Sequence, residues 1–373
     1  MLDFFNLKPE FFALDISNLS LKIAKLKKKR GYLELESFGE LKIKKGIISN
    51  GEIKEEDDLI EAIKNVVNGV KGKKLKTKYV ACSLPEEKSF LEIIKMPLMS
   101  REDLKSAILF EVENYIPLPI EDVYLDFEII NKDIRKKEME VLLAALPKKT
   151  VDLYINCLKK AGLKPLFLEI ESLAIVRALI NKKLSSQSFL LIDLGLTRTG
   201  FVVFVDGCIR FTSSIPVSAE NFTDIIAKAL NISTSRAEDL KIRHGLSGKV
   251  KFKIKNKKAI KSVERGRVFE ALIPALADLV QQIKVYMKYY QTHANTGADR
   301  KIQRILLSGG GANLKGLKEL FSIELNAPVE FGDPWMNIAP VKHTERKKLS
   351  QSEALAYTTA LGLAQKNIEE QND

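Results

Sequence analysis

An apolar run that ends on an aspartate, turns through small and hydroxyl-bearing residues, and resumes as a second apolar run occurs twice in this chain. The longer copy is Phe189–Gly207, FLLIDLGLTRTGFVVFVDG. It reads as a strand from Phe189 to Ile192, a polar turn Asp193-Leu194-Gly195-Leu196-Thr197-Arg198-Thr199, and a strand from Phe201 to Val205. The other copy runs from Phe11 through Leu14 into Asp15-Ile16-Ser17-Asn18-Leu19-Ser20 and leaves through Leu21-Lys22-Ile23-Ala24. Two hairpins on one plan, about half a chain apart, constrain the fold to a duplicated domain with a cleft between its halves.

The turns carry chemistry as well as geometry. A carboxylate at a strand end can hold the water shell of Mg²⁺. A glycine lets backbone approach a ligand, and hydroxyls beyond it donate to phosphate oxygens. Either turn alone also reads as an ordinary hairpin turn. A third piece, Ile305-Leu306-Leu307-Ser308 emptying into Gly309-Gly310-Gly311-Ala312-Asn313, precedes the helical pattern Leu317–Leu325. Bare backbone there can meet a nucleotide.

Together these pieces resemble the nucleotide-binding signature of the actin, Hsp70 and FtsA superfamily. The resemblance implies an α/β, actin-like (ribonuclease H-like) duplicated fold, with two lobes around a nucleotide cleft and an inserted α+β subdomain. Asp15–Lys22 is similar to the first phosphate motif, Asp193–Thr199 to the second and Ser308–Ala312 to the adenosine motif. The implied cofactors are ATP and Mg²⁺. On this likeness Asp15 and Asp193 hold Mg²⁺ through water, Ser17, Asn18, Ser20, Lys22, Gly195 and Thr197 face the phosphates, and Gly309, Gly310 and Gly311 face the adenosine. Leu168-Glu169-Ile170-Glu171-Ser172-Leu173-Ala174 resembles the first connecting motif, which makes Glu171 the candidate for orienting water. A helix-start or surface carboxylate is the competing reading of Glu171. Ser17 stands where the family usually has Gly, so a positive φ there would impose strain. Leu196 and Ser172 are milder departures. Phosphoryl transfer rests on positioning, so binding can persist where turnover is weak or absent.

Within the superfamily, Phe110–Val123 (FEVENYIPLPIEDV), the opening FFNLKPEFFALDIS and the run LSGGGANLKGLKELFSIELNAPVEFGDPW are similar to the PilM family of type IV pilus assembly proteins. That likeness implies a cytoplasmic ATP-binding adaptor of type IV pilus or related type II secretion assembly. Its implied partner is a PilN-like inner-membrane protein, bound through its cytoplasmic N-terminal peptide, with pilus motor components as further candidates. Ile116, Leu118 and Ile120 are candidate walls for the peptide; packing of the subdomain's own core is the competing reading. An active ATPase or sugar kinase and a self-associating, FtsA-like filament remain alternatives on the same fold.

Composition bounds the rest. With 373 residues, 45% apolar and 29% charged, the chain can bury two cores. No apolar run reaches the roughly 18–20 residues that span a bilayer, and no signal-peptide pattern opens the chain. The expectation is a cytoplasmic protein, peripheral at the inner membrane through its partner. Cys82, Cys157 and Cys208, like His244, His293 and His343, are isolated, which argues against a disulfide framework and a zinc site. The net charge of +12 gathers in Lys25–Gly31 and in the alternating Lys249–Lys255. These read as solvated faces or as attraction to an anionic surface. Neither has the aromatic platforms of a nucleic-acid site. The polar, acidic tail Gln365–Asp373 lacks the apolar face of a membrane-surface helix.

In order, the chain reads as a first lobe over 1–84, an inserted subdomain over 85–165, a connecting helix of the first lobe over 166–188, a second lobe over 189–350, and a terminal helix and tail over 351–373 that pack on the first lobe. Ser100 is expected to cap a helix from Arg101, Gly162 to close another from Thr150, and Pro274 to break or kink the long pattern Glu264–Gln291.

Overall fold

The computed structural model describes residues 9–29, 32–181, 184, 186–246, 257–293, 301–338 and 348–369. The alternating Lys249–Lys255 segment lies outside them.

The chain opens as a meander of β1 (Phe12–Ser17), β2 (Ser20–Lys29) and β3 (Tyr32–Lys42). The short pair β4 (Ile48–Ser49) and β5 (Glu52–Ile53), helix α1 (Glu56–Asn68), the edge strand β6 (Lys71–Gly72) and β7 (Tyr79–Leu84) follow. A three-stranded antiparallel sheet, ordered β8-β10-β9, comes next, from β8 (Phe90–Pro97), β9 (Val123–Asp133) and β10 (Glu138–Pro147), with α2 (Arg101–Glu111) between its first two strands. Ser100 accepts from the Asp103 backbone N–H and starts α2 as expected. Ile94, Leu104, Ile108, Val112, Ile116, Val141 and Leu143 make this insert a core of its own.

Residues 85–165, expected to form one insert, are divided in the structure. Helix α3 (Lys148–Lys160) buries Val151, Tyr154, Cys157 and Leu158 in the first lobe's core beside Leu59 and Ile63 of α1. Strand β11 (Lys164–Ile170) joins β7 in parallel and completes a sheet ordered β11-β7-β1-β2-β3-β6. An amphipathic helix declares that it buries one face, and its pattern is silent about which sheet receives it.

After α4 (Glu171–Leu179), the second lobe repeats the plan. Strands β12 (Phe189–Leu194), β13 (Thr199–Val205) and β14 (Cys208–Ile215) form a meander. Helices α5 (Ala219–Leu230), α6 (Thr234–His244) and α7 (Lys257–His293), strand β15 (Arg304–Ser308), helix α8 (Leu317–Glu324) and strand β16 (Val329–Phe331) follow. This sheet runs β14-β13-β12-β15-β16, with β15 parallel to β12 and β16 parallel to β15. The first sheet has the same order and sense when read as β3-β2-β1-β7-β11. The duplication seen in the hairpins therefore extends to both sheets.

Of the break or kink expected near Ile273, the break does not occur: helix α7 continues through Pro274. Val268, Leu272, Leu276, Leu279 and Ile283 are buried on both sides of the proline, and their packing outweighs one missing backbone hydrogen bond. The single expected terminal helix is two, α9 (Gln351–Ala356), opened by a Ser350/Glu353 capping box, and α10 (Thr358–Glu369). Lys25, placed by its sequence on a solvated face, is buried between Glu36 at 2.9 Å and Glu10 at 3.0 Å. Among the described residues no helix is long and apolar enough to cross a membrane.

Alternation sorts the first sheet's faces. Phe12, Leu14, Ile16, Leu21 and Ile23 meet α1 and α3, whereas Ala13 and Ala24 face α4 and α10. Helix α4 presents Ala174 to this layer and Ile175, Ala178 and Leu179 to Phe189, Leu191 and Val202 of the second sheet. A Cβ on Gly362 would stand 1.9 Å from the Ala174 carbonyl oxygen, so only glycine lets α10 lie this close to α4. Gly362→Ala is expected to destabilise the fold by about 1–3 kcal/mol, the usual range for overpacking. A denaturant midpoint that does not move would contradict this packing.

Candidate functional site

The two hairpins put their acid-bearing tips on facing sides of the interlobe cleft. Asp15 lies opposite Lys22 in the β1–β2 register, and Asp193 opposite Gly200 in β12–β13. Asn18 Nδ2, from the first tip, donates to Thr197 Oγ1 of the second at 3.1 Å. A cleft of about 470 Å³ between the lobes is lined by every residue anticipated for the phosphate, metal and nucleotide motifs: Asp15, Ser17, Asn18, Ser20, Lys22, Asp193, Gly195, Thr197 and the glycines 309–311. Glu171 lines it too.

The carboxylates are held with little compensating charge. Ser83 Oγ donates to Asp15 Oδ1 at 3.0 Å and accepts from the Ile16 N–H at 2.9 Å. Burial pushes the Asp15 carboxyl up, against the opposing pull of Lys22. Ser308 Oγ, at the end of β15, donates to Asp193 Oδ1 at 2.7 Å. Burial raises Asp193 as well, and Asp15 adds to the rise. A hydrated Mg²⁺ would supply the charge that this pair lacks, and carboxylate oxygens are its preferred donors. The residues present therefore fit the metal that the fold implies.

Lys22 Nζ donates to Ser20 Oγ at 2.8 Å and lies 4.0 Å from Glu40. Ser17 Oγ donates to the Ser20 carbonyl at 3.0 Å. Ser17 does not have a positive φ, so the strain expected of a non-glycine residue there does not arise. The glycine run differs from its expected role in one respect. A Cβ on Gly311 would lie 1.8 Å from Leu194 Cδ2, and one on Gly309, whose φ is +80°, 2.4 Å from the Leu194 carbonyl oxygen. These two glycines answer first to the close approach of the second hairpin, whereas a Cβ on Gly310 meets only Ala356 Cβ, at 3.6 Å.

Glu171 opens α4 with its side chain 18% exposed to the cleft. Burial pushes its carboxyl well above the ordinary range; Arg198 opposes the rise, and Glu87, Asp15 and Asp193 add to it. Arg198 Nη2 donates to Glu171 Oε2 at 3.3 Å, and Nη1 pairs with Glu87. Glu87 and Arg198 were not singled out by their sequence context. Nor were Glu238, Lys241 and Ile242 of α6, which line the cleft on the second lobe. Lys241 Nζ reaches Glu238 at 2.7 Å, Thr223 Oγ1 at 2.8 Å and the Ala219 carbonyl at 2.7 Å. The i,i+3 spacing of Glu238 and Lys241 was visible, but so ordinary on a helix that it pointed nowhere.

The peptide candidates separate. Ile116 is 5% exposed within the insert's own core, so it offers no surface to a partner. Leu118 and Ile120 are half-buried against the same core.

The raised Asp193 gives a pH signature. The native state holds that proton more tightly than the unfolded chain, so the stabilising contribution is complete below 3.8 and is lost as pH rises through the higher native value. Asp193→Asn is therefore expected to melt above the parent at pH 7, with the gap closing as pH falls towards 4. A gap that widens on acidification would refute the assignment.

A family model described as Type IV pilus assembly protein PilM matches residues 13–368. A solved PilM-PilN type IV pilus biogenesis complex contains a chain that superposes with a TM-score of 0.78 at 24% identity, covering 97% of this chain and 99% of that one. MreB 5 of Spiroplasma citri, bound to AMPPNP, superposes with a TM-score of 0.55 at 13% identity, covering 97% of each chain. The cell division protein FtsA of Pseudomonas aeruginosa is 24% identical over 227 residues, 58% of this chain and 51% of that protein. The match thus spans about half the length of that relative. These likenesses, with both sheets on one topology, make the fold actin-like. The family match runs through both hairpins, the insert and the glycine loop, and the chain belongs to the PilM family of type IV pilus assembly proteins.

Proposed function

We propose that the chain binds Mg-ATP in the interlobe cleft and acts as a cytoplasmic adaptor at the inner membrane, capturing the N-terminal peptide of a PilN-like protein during assembly of a type IV pilus or a related secretion system. The observation that carries the nucleotide half is the convergence, in one cleft, of two carboxylates from separate hairpins, Asp15 buried and Asp193 half-buried, with the Lys22 ammonium and the glycine loop. Asp15 and Asp193 would hold the hydrated metal, and Ser20, Lys22, Thr197 and the backbone near Gly195 the phosphates. Glu238, Lys241 and the 61% exposed Ile242 stand further along the same wall, where polar groups suit a ribose and an apolar face suits a base. When bound, Mg²⁺ would neutralise phosphate charge beside the two aspartates.

Glu171, the candidate for orienting water, is paired with Arg198, so any turnover requires that pair to open. The partner half draws support from family membership and from the complex that the similar chain forms with PilN. Leu118 and Ile120, the half-buried pair on the insert, are the remaining candidates for contact with an extended peptide.

Calorimetric titration tests both halves, first with Mg-ATP and then with the N-terminal peptide of a PilN-like protein. Asp15→Ala and Asp193→Ala should each weaken Mg-ATP binding by about tenfold or more, as loss of a charged contact does. Parent-like affinity in both variants would refute the metal-phosphate reading of the cleft. Absence of heat with the peptide would refute the adaptor reading.

A further inference from the structure

Arg198 is the residue of the cleft that neither the hairpin plan nor the binding reading explains. Its side chain is 14% exposed, and its guanidinium spans two carboxylates from different elements, Glu87 and Glu171. Asn18 Nδ2 lies 3.5 Å from Glu87 Oε1 and donates to Thr197 Oγ1, so both hairpin tips, Glu87 and the start of α4 form one polar girdle. Glu87 sits in the short 3₁₀ turn Glu86–Lys88, which ends two residues before β8, the first strand of the insert. A second ion pair ties the insert to the second lobe, because Arg210 Nη1 of β14 contacts Glu140 Oε2 of β10 at 2.7 Å.

We propose that Arg198 is a phosphate-responsive latch: the terminal phosphate of a bound nucleotide draws its guanidinium from Glu87 and Glu171 and releases the turn that carries the insert. The inference rests on the Mg-ATP reading of the cleft and extends it to regulation. Arg198 belongs to the same turn as Gly195 and Thr197, so a phosphate seated on that turn lies within a side chain's length of its guanidinium. A terminal phosphate carries more charge than one carboxylate and presents three acceptor oxygens, and guanidinium pairs with it bidentately. Glu171 can tolerate the transfer. Burial, with Glu87, Asp15 and Asp193 nearby, already pushes the Glu171 carboxyl up, so it can take a proton when the guanidinium leaves. A diphosphate is one group shorter and leaves the latch engaged. The response then reports phosphate number and not merely nucleotide occupancy.

Hydrogen exchange of the full chain over residues 85–90, with calorimetry on the same samples, provides the test. In the parent, Mg-ADP should leave exchange there unchanged, and Mg-ATP should speed it by about tenfold, the scale of losing one charged contact. Glu87→Gln and Arg198→Ala should exchange fast without nucleotide and show no further response to Mg-ATP. Arg198→Ala should also narrow the ratio of ATP to ADP affinity, an effect that loss of a merely structural ion pair would not produce. Arg198→Lys, which keeps the charge but not the fork, should respond to Mg-ATP only partly. Parent exchange that is unchanged or slowed by bound Mg-ATP, or variants that exchange like the parent without nucleotide, would overturn the latch while leaving the cleft assignment standing. A parent that binds no Mg-ATP would overturn the cleft assignment itself, and the latch with it.

Discussion

Helix α4 is the constraint on which the rest of the molecule depends, because it is buried against both sheets. Its Ala174 side meets α10 and the first sheet, and its Ile175, Ala178 and Leu179 side meets the second. Small residues permit this double burial, with Gly362 set directly on the Ala174 backbone. The carbonyls at its end are satisfied from the second lobe, where Asn337 Nδ2 donates to Arg177 O at 2.7 Å and Ile180 O at 2.9 Å. With α4 fixed, the two hairpin tips have one relative placement. The cleft follows from that placement and not from any contact the tips make by themselves.

The same stretch shows how fold and site divide the use of charge. Glu169 and Glu171 are two residues apart, one at the end of β11 and one at the start of α4. Burial alone would raise both. Arg177 at 2.6 Å and Lys366 at 2.8 Å outweigh it at Glu169 and hold that carboxyl low, in a closed ion-pair group that joins α4 to α10. At Glu171 a single guanidinium does not outweigh burial and three neighbouring acids, and the carboxyl stays high. A compensated buried charge fastens elements together, whereas an undercompensated one remains responsive to a ligand. Asp15 and Asp193 are of the second kind.

What could be read in the residues follows from the range of the physics involved. Strand alternation and turn chemistry are local, so the paired hairpins and the Ser100 cap stood in the sequence much as they stand in the fold. The clustering of the phosphate-motif residues was legible because two copies of one pattern imply a pseudo-symmetric cleft. Long-range choices were not legible. Val151, Tyr154 and Leu158 declared a buried face but not that its partner was α1 in the first lobe. Pro274 declared a missing hydrogen bond but not the packing that keeps α7 whole. Lys25 looked solvated because Glu10 and Glu36 reach it from other segments. Ile116 could wall a groove or fill the insert's core, and its apolarity could not decide between them; the insert encloses it.

Arg198 belongs with those long-range cases, and it changes how the duplication should be understood. The two hairpins are alike in plan, yet the first closes tightly between Ser17 and Ser20, whereas the second has a longer turn, between Leu194 and Thr199, that adds Thr197 and Arg198. The first turn keeps its hydroxyls within itself, Ser17 on Ser20, and sends only Asn18 across the cleft. The second sends a permanent cation across, into a pair of acids. A symmetric cleft would bind a phosphate chain equally from both sides and transmit nothing. This asymmetry ties one wall, through Glu87, to the turn from which the insert departs, so that charge arriving in the cleft can alter a surface remote from it.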